Sequence, residues 1–293
     1  MQIRRICGEL MDVVSPRRRA HLQTATARRN LLLNEYRELA LLNSIKCPDR
    51  SLRNLSANEL QTLLKDESLL DEWNVAASSL QALQLPEMTG GVNPGDQRAI
   101  YYLIRTLRPQ RILEIGTHIG CSTLNMALAA RPLDGSTICT VDIRDVNDSV
   151  KRPWEKAGAQ HSPKEMMRRS GCHDLVDFRV SPSLDFLRSV DREAPYDFIF
   201  LDGDHSARTV YEELPAALKC VAENGVILLH DSFPGLQPLW SDDSVIPGVF
   251  LATQRLQNEG AAFNVLPLGE LPWPTKLNSN VTSLALVTAG DHQ

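Results

Sequence analysis

The sequence predicts an α/β protein built on a doubly wound sheet, and three stretches predict it. Arg111-Ile-Leu-Glu-Ile-Gly-Thr-His-Ile-Gly-Cys-Ser-Thr123 reads as a short apolar strand, a turn with two glycines, and a helix start. Tyr196-Asp-Phe-Ile-Phe-Leu-Asp-Gly-Asp-His-Ser206 reads as a central parallel strand, buried on both faces, that ends in a polar cluster. Val226-Ile-Leu-Leu229 is a further apolar run and ends in His230-Asp231. Open sheets of this class bind ligands outside the carboxyl ends of their strands, where these polar residues emerge.

The first stretch has the form of a ligand-binding turn. Gly116 lets the chain leave the strand sharply, and Gly120 lets the backbone pass close to a ligand. The helix opening there offers free N–H groups. A second strand, Ser136 to Val141, ends at Asp142, which stands 22 residues past Gly120. That is about where a ribose-binding carboxylate belongs, roughly 20 residues on. Thr117-His118 occupies the place of the middle glycine of a dinucleotide turn, and Glu114 adds a negative charge beside it. A carboxylate there would repel a pyrophosphate and attract a sulfonium or ammonium. A glycine-rich turn without a ligand is the bland alternative.

The other two stretches deliver Asp202, His230 and Asp231 to one edge of the sheet, with Asp204 and His205 beside them. Two carboxylates and an imidazole converging there repel and desolvate badly without a cation. Oxygen donors suit Mg²⁺, while the imidazole leaves Mn²⁺ or another transition metal open. The alternative is that Asp202 caps a helix and His230-Asp231 are solvated strand ends.

Together, Glu114-x-Gly-x-x-x-Gly120, Asp142, Tyr196-Asp-Phe-Ile-Phe-Leu-Asp202 and Leu-Leu-His-Asp231 resemble the metal-dependent O-methyltransferases of the class I S-adenosylmethionine (SAM) type. That group includes the catechol and caffeoyl-CoA methyltransferases. The Asp-Gly-Asp-His piece and the His-Asp pair look closer to a bacterial branch of macrocin- and mycinamicin-type sugar O-methyltransferases and cephalosporin hydroxylase-like proteins. The resemblance spans roughly residues 87–287. It implies a Rossmann-like sheet of seven strands with an antiparallel last strand. It also implies a SAM site formed by Gly91, Val92, Glu114, Gly116, Thr117, Gly120, Ser122, Asp142, Ser183 and Asp202, with Ser183 near the adenine. The implied metal ligands are Asp202 and Asp231, with His230 standing where the bacterial branch has another acid. Ser232 stands where the catechol-type enzymes have an asparagine ligand. Two residues compete for the base. His205 takes the place of the catechol-type lysine and Asp204 that of the sugar-type aspartate, and the sequence leans toward Asp204.

The remaining segments frame this core. Residues 1–86 form a helical accessory, lid or dimerisation segment, and 87–293 the SAM-dependent domain. Arg17-Arg-Arg19 and Arg28-Arg29 precede a helical stripe of Leu31-Leu-Leu33, Tyr36, Leu39 and Leu42, read as a solvated basic face beside a dimer or lid surface. Binding of nucleic acid, anionic lipid or an acidic partner is the other reading of those arginines. Ser56-Ala-Asn-Glu59 is a capping box, and another helix covers residues 69–83. Residues 88–96 form a loop over the methionine end of SAM or a plain linker, and 143–161 is a long polar insertion. Pro215 is expected to kink or divide the helix of residues 207–221. Residues 263–267 and 283–287 are strands that pair antiparallel, since their connection is too short for a crossover helix.

Composition fits a cytoplasmic enzyme, and the resemblance implies that it acts on a hydroxylated small molecule. The chain has 293 residues, 43% of them hydrophobic, and a net charge of −5, so it shows no global basic footprint for nucleic acid. No apolar run reaches the roughly 20 residues of a membrane span. Six scattered cysteines show no paired metal spacing. The expected reaction is methyl transfer to one of two adjacent oxygens, helped by Mg²⁺ or Mn²⁺. A metal-independent methyltransferase, a SAM-binding protein of another activity and an interaction protein are the alternatives.

Overall fold

The computed structural model describes residues 16–85 and 91–290, with side chains from residue 25 onward. The Arg17–Arg19 side chains and positions 86–90 lie outside the described residues. Among the described residues a seven-stranded sheet has the order β3-β2-β1-β4-β5-β7-β6. Its strands are β1 (Arg111–Ile115), β2 (Thr137–Asp142), β3 (Val176–Val180), β4 (Tyr196–Leu201), β5 (Val221–Leu229), β6 (Phe263–Pro267) and β7 (Ala285–Ala289). Strands β1 to β5 pair in parallel, and β7 runs antiparallel to both β5 and β6. The short final connection thus does what its length requires.

The chain reverses direction across the sheet between β1 and β4, and the crevice at that switch point is where a doubly wound sheet takes its ligand. Side chains alternate between faces along each strand, so each strand feeds two cores. Ile112, Phe198, Phe200 and Leu228 pack on one face under α4 (Pro94–Leu107) and α5 (Cys121–Ala130). Leu113, Ile115, Ile199, Leu201 and Leu229 pack on the other under α9 (Ala207–Cys220) and α10 (Gly248–Asn258). Being covered on both sides is why β1, β4 and β5 read as unbroken apolar runs. β3, at the sheet edge, is only partly covered, and an Asp177–Arg179 ion pair sits on it.

The amino-terminal helices are folded onto this core. Helix α1 (Pro16–Ala40) lies against α9 and α10, burying Leu39, and the Glu35 carboxylate accepts from the Ala207 N–H at 2.6 Å. Helix α2 (Ala57–Leu64) opens with the predicted capping box and buries Leu60, Leu63 and Leu64, while α3 (Leu70–Ala82) follows. Asn93 caps α4, its Oδ1 accepting from the N–H groups of Gly95 and Asp96, and Pro94 stands at the first turn where its missing N–H costs nothing.

Three local expectations change. α9 runs unbroken through Pro215, because packing on both α10 and β5 outweighs one missing hydrogen bond. The 143–161 insertion is not simply polar cover. It contains a short helix α6 (Pro153–Lys156) whose Trp154 is buried against Ile119 and Cys121, followed by α7 (Pro163–Arg169). A helix α8 (Ser183–Ser189) follows β3, where no element is expected.

Candidate active site

The carboxyl ends of β1, β2 and β4 open onto a cavity of about 570 Å³. Its lining includes Gly91, Gly116, His118, Asp142, Ser183 and Asp202. That volume lies within the 300–1,000 Å³ range of small-molecule and cofactor sites. Asp142, at the end of β2, is held in place by the His118 N–H at 3.0 Å and the Arg144 N–H at 2.9 Å. Its carboxylate is fixed at the wall of the cavity, as a ribose acceptor must be.

Glu114 is not where the charge argument places it. Alternation along β1 turns it away from the cavity, toward the start of α5, and it is fully buried. Its carboxylate accepts from Ser122 Oγ and Thr123 Oγ1 at 2.5 Å and from Thr140 Oγ1 at 2.6 Å. Burial pushes its pKa up to about 7 despite these three hydrogen bonds. Thr117 is drawn into the same cluster, 2.6 Å from Thr140 Oγ1, and Val92 packs into the apolar core. Glu114, Thr117, Ser122 and Val92 therefore stand behind the cavity wall.

The two glycines answer to local sterics. Gly116 has φ +101°, and a Cβ there would come within 2.1 Å of the Asp202 carbonyl oxygen, so only glycine lets β1 and β4 converge. Gly120 has φ +82°, and its Cβ would meet Pro163 at 2.9 Å, so it admits α7 rather than lining the cavity.

Beyond Asp202 the lining becomes a cluster of charged groups. His230 Nδ1 lies 2.8 Å from Asp202 Oδ1 and 3.6 Å from Asp231 Oδ1, and His230 Nε2 lies 3.5 Å from Asp96 Oδ2. His205 Nε2 lies 3.5 Å from Asp202 Oδ1 and 3.4 Å from Asp231 Oδ2. Asp231, in left-handed backbone at φ +54°, also receives a hydrogen bond from Ser283. Burial alone would push the His230 pKa down, but the Asp202 and Asp231 carboxylates outweigh it and hold it well above 6.5. The surplus of negative charge that retains a proton there is also what a cation would neutralise. His230 Nδ1 and Asp96 Oδ1 are buried, and neither has an aligned hydrogen-bond partner. In composition and in these unmet polar atoms, the residues fit a metal ion. Ser232 is buried outside this cluster, with its N–H bonded to the Ser283 carbonyl.

The three residues whose donor atoms all lie within 4.8 Å of one another are Asp202, His205 and His230. This differs from the expected ligand set, Asp202, His230 and Asp231, by bringing in His205, and Asp231 lies beside both imidazoles. Asp204, the favoured base, also lines the cavity, but its oxygens are already engaged. Its oxygens accept from the Ser206 N–H and Oγ and from Thr209 Oγ1, fastening the start of α9. These hydrogen bonds hold its pKa low even against partial burial, which acts the other way.

Sequence reasoning missed Asp96, His118 and Glu213. Asp96 comes from the first turn of α4, more than a hundred residues before Asp202, so no local motif could connect them. His118 lines the cavity from inside the turn motif itself. Glu213 lies one helical face along α9, buried at the cavity wall, and burial pushes its pKa up to about 7.

Comparisons with known proteins agree with this geometry. Residues 113–232 match a family model described as a methyltransferase domain. Caffeoyl-CoA O-methyltransferase 1 of Zea mays is 31% identical over 150 residues, which cover 50% of this chain and 49% of the relative. Tricin synthase 2 of Oryza sativa subsp. japonica is 28% identical over 181 residues, covering 60% of this chain and 56% of the relative. The chain thus spans about half the length of the curated relatives it matches. Among solved structures, the O-methyltransferase TomG from Streptomyces achromogenes, in complex with SAM, superposes with a TM-score of 0.51 at 19% identity. It covers 81% of this chain and 100% of that one. An O-methyltransferase from Bacillus cereus in complex with SAH gives a TM-score of 0.50 at 20% identity, with 76% and 91% covered. Residues 113–232 thus match a methyltransferase domain, and the chain shares the fold of these O-methyltransferase structures.

Proposed function

We propose that this protein transfers a methyl group from SAM to a hydroxyl of a small molecule carrying two adjacent oxygens, assisted by a divalent cation. The observation that carries the reading is the position of Asp202. It lines the cofactor-sized cavity and, through Oδ1, also belongs to the histidine–carboxylate cluster. A methyl donor in the first and an oxygen acceptor at the second would meet at this residue.

Each residue then has a task. Asp142 accepts from ribose hydroxyls, Gly91 borders the methionine end, and Ser183 borders the adenine end. The sulfonium supplies an already activated methyl, so alignment is most of what the protein contributes. Asp202, His205 and His230 would hold the cation, which on binding lowers the pKa of a coordinated hydroxyl. A proton leaving the acceptor then has Asp231 within the cluster to receive it. Asp204 is a positioning residue that fixes the loop carrying His205.

The exposed Leu31, Leu33 and Tyr36 of α1 support a second, smaller reading, self-association through the amino-terminal helix. Light scattering of the full chain against a Leu31→Glu, Leu33→Glu variant tests it, and an unchanged mass would discard it.

The main reading is tested by calorimetry with SAM and S-adenosylhomocysteine, followed by a panel of catechols and vicinal diols assayed for S-adenosylhomocysteine release. Saturable binding of both cofactor forms, with release on at least one acceptor, is expected. Absence of cofactor binding at millimolar concentration would overturn it.

A further inference from the structure

The cluster at the ends of β4 and β5 says more than that a cation is present, because two of its donors are nitrogen. We propose that the site is built for a nitrogen-preferring first-row transition ion, such as Co²⁺, Zn²⁺ or Fe²⁺, rather than Mg²⁺. Its donors are Asp202, His205 and His230. The inference rests on the methyltransferase reading for its purpose, but on the side-chain geometry alone for its chemistry.

Three observations carry it. The first is spacing. A metal with bonds of about 2.1 Å separates neighbouring ligand atoms by roughly 3.0 Å in an octahedron and 3.4 Å in a tetrahedron. The Oδ1 of Asp202 lies 2.8 Å from His230 Nδ1 and 3.5 Å from His205 Nε2, and the set closes within 4.8 Å. The second is an unmet polar atom. His230 is only 8% exposed, and its Nδ1 faces Asp202 without a hydrogen bond. The third is orientation. Asp96, wholly buried, puts Oδ2 3.5 Å from His230 Nε2. A carboxylate on that side would keep the proton on Nε2 when a metal displaces the one on Nδ1, as the outer partner of a metal-bound histidine does.

Donor chemistry then selects the ion. Mg²⁺ takes oxygen ligands and keeps most of its water, whereas imidazole suits the later divalent ions. Two imidazoles converging on one carboxylate favour the second group. With Nε2 of His205 committed to the ion, Asp231 remains the proton acceptor, its Oδ2 3.4 Å from that nitrogen.

The test uses the full chain, freed of metal by chelator and titrated with Co²⁺ or Mg²⁺ alone, by calorimetry and visible absorption. One equivalent of Co²⁺ should bind at least about 100-fold more tightly than Mg²⁺ and develop ligand-field bands. His205→Ala, and His205→Gln as the milder variant, should weaken Co²⁺ by at least about 10-fold and Mg²⁺ by less than about 3-fold. Asp96→Asn, which retains every donor, should weaken Co²⁺ by about 10- to 100-fold and shift its bands. Equal affinities for the two ions, or Co²⁺ binding indifferent to His205, would overturn the proposal. SAM titrations of the same samples separate the two claims. SAM binding without Co²⁺ binding sinks this inference alone, and Co²⁺ binding without SAM binding supports it while sinking the methyltransferase reading.

Discussion

The two halves of the crevice are built differently. At the ends of β1 and β2 the carboxylates are satisfied from within: Glu114 by three hydroxyls, Asp142 by two backbone N–H groups. At the ends of β4 and β5, Asp96, Asp202, His205, His230 and Asp231 crowd together, with unmet atoms on Asp96 and His230. A half that is complete by itself can hold a ligand whose shape it already matches. A half with surplus charge and unmet polar atoms is the one that the proposed cation would complete. On the proposed reading, the contrast makes cofactor recognition and metal recognition separable, with Asp202 as the shared member.

Breaking the shared member should have the largest effect. Asp202→Asn removes one charge from both halves and should lower turnover by at least about 10³-fold, measured as S-adenosylhomocysteine release at saturating SAM. A loss below 10-fold would mean that the halves do not meet there.

Next comes the satisfied half's own hidden cost. Glu114 has a folded pKa of about 7 against an ordinary 4.5, so between those values the folded chain holds a proton that the unfolded chain has released. Its contribution to stability is full below about pH 4.5 and lost as pH rises through about 7, a change on the order of 3 kcal/mol. Glu114→Gln has nothing to titrate at this position. It should be less stable overall, with a shallower decline over this window, as followed by urea unfolding at several pH values. Glu213, also raised to about 7, stays in both proteins, so the difference isolates Glu114. An unchanged slope would show that folded Glu114 is already ionised across this window.

The amount legible from sequence follows the same division. The sheet, its switch point and Asp142 were readable because strand runs and turn glycines are local signals. Asp202, His230 and Asp231 were readable because they end apolar strands. What stayed hidden depended on direction in three dimensions. The sequence places Glu114 beside the turn but does not show that strand alternation points it behind the wall. It places Asp204 and His205 side by side, and only the start of α9 shows that Asp204 is engaged by Ser206 and Thr209 while His205 faces the cluster. Asp96 required the fold, since α4 brings it in from the far end of the domain.

Two smaller effects sharpen the separation. Asp142→Ala should lose about 1.5–3 kcal/mol of SAM binding, the range for hydrogen bonds to a charged group, while Co²⁺ affinity stays unchanged in calorimetry. A fall in both would show that the halves are coupled. Asp204→Asn should cost about 1 kcal/mol of stability, as loss of a helix-start hydrogen-bond partner does, with turnover reduced by less than about 10-fold. A collapse of turnover in a stably folded Asp204→Asn would return it to the role of base.

The central claim is that a methyl group passes from SAM to oxygen in this crevice, and carbon-13 reports it directly. The metal-loaded protein would be incubated with SAM labelled at its methyl carbon and with a catechol or vicinal diol, and the product read by NMR. The account predicts a labelled methoxy signal rising in step with S-adenosylhomocysteine, absent in Asp202→Asn. Label found on nitrogen or carbon, or S-adenosylhomocysteine formed without a methoxy product, would contradict it.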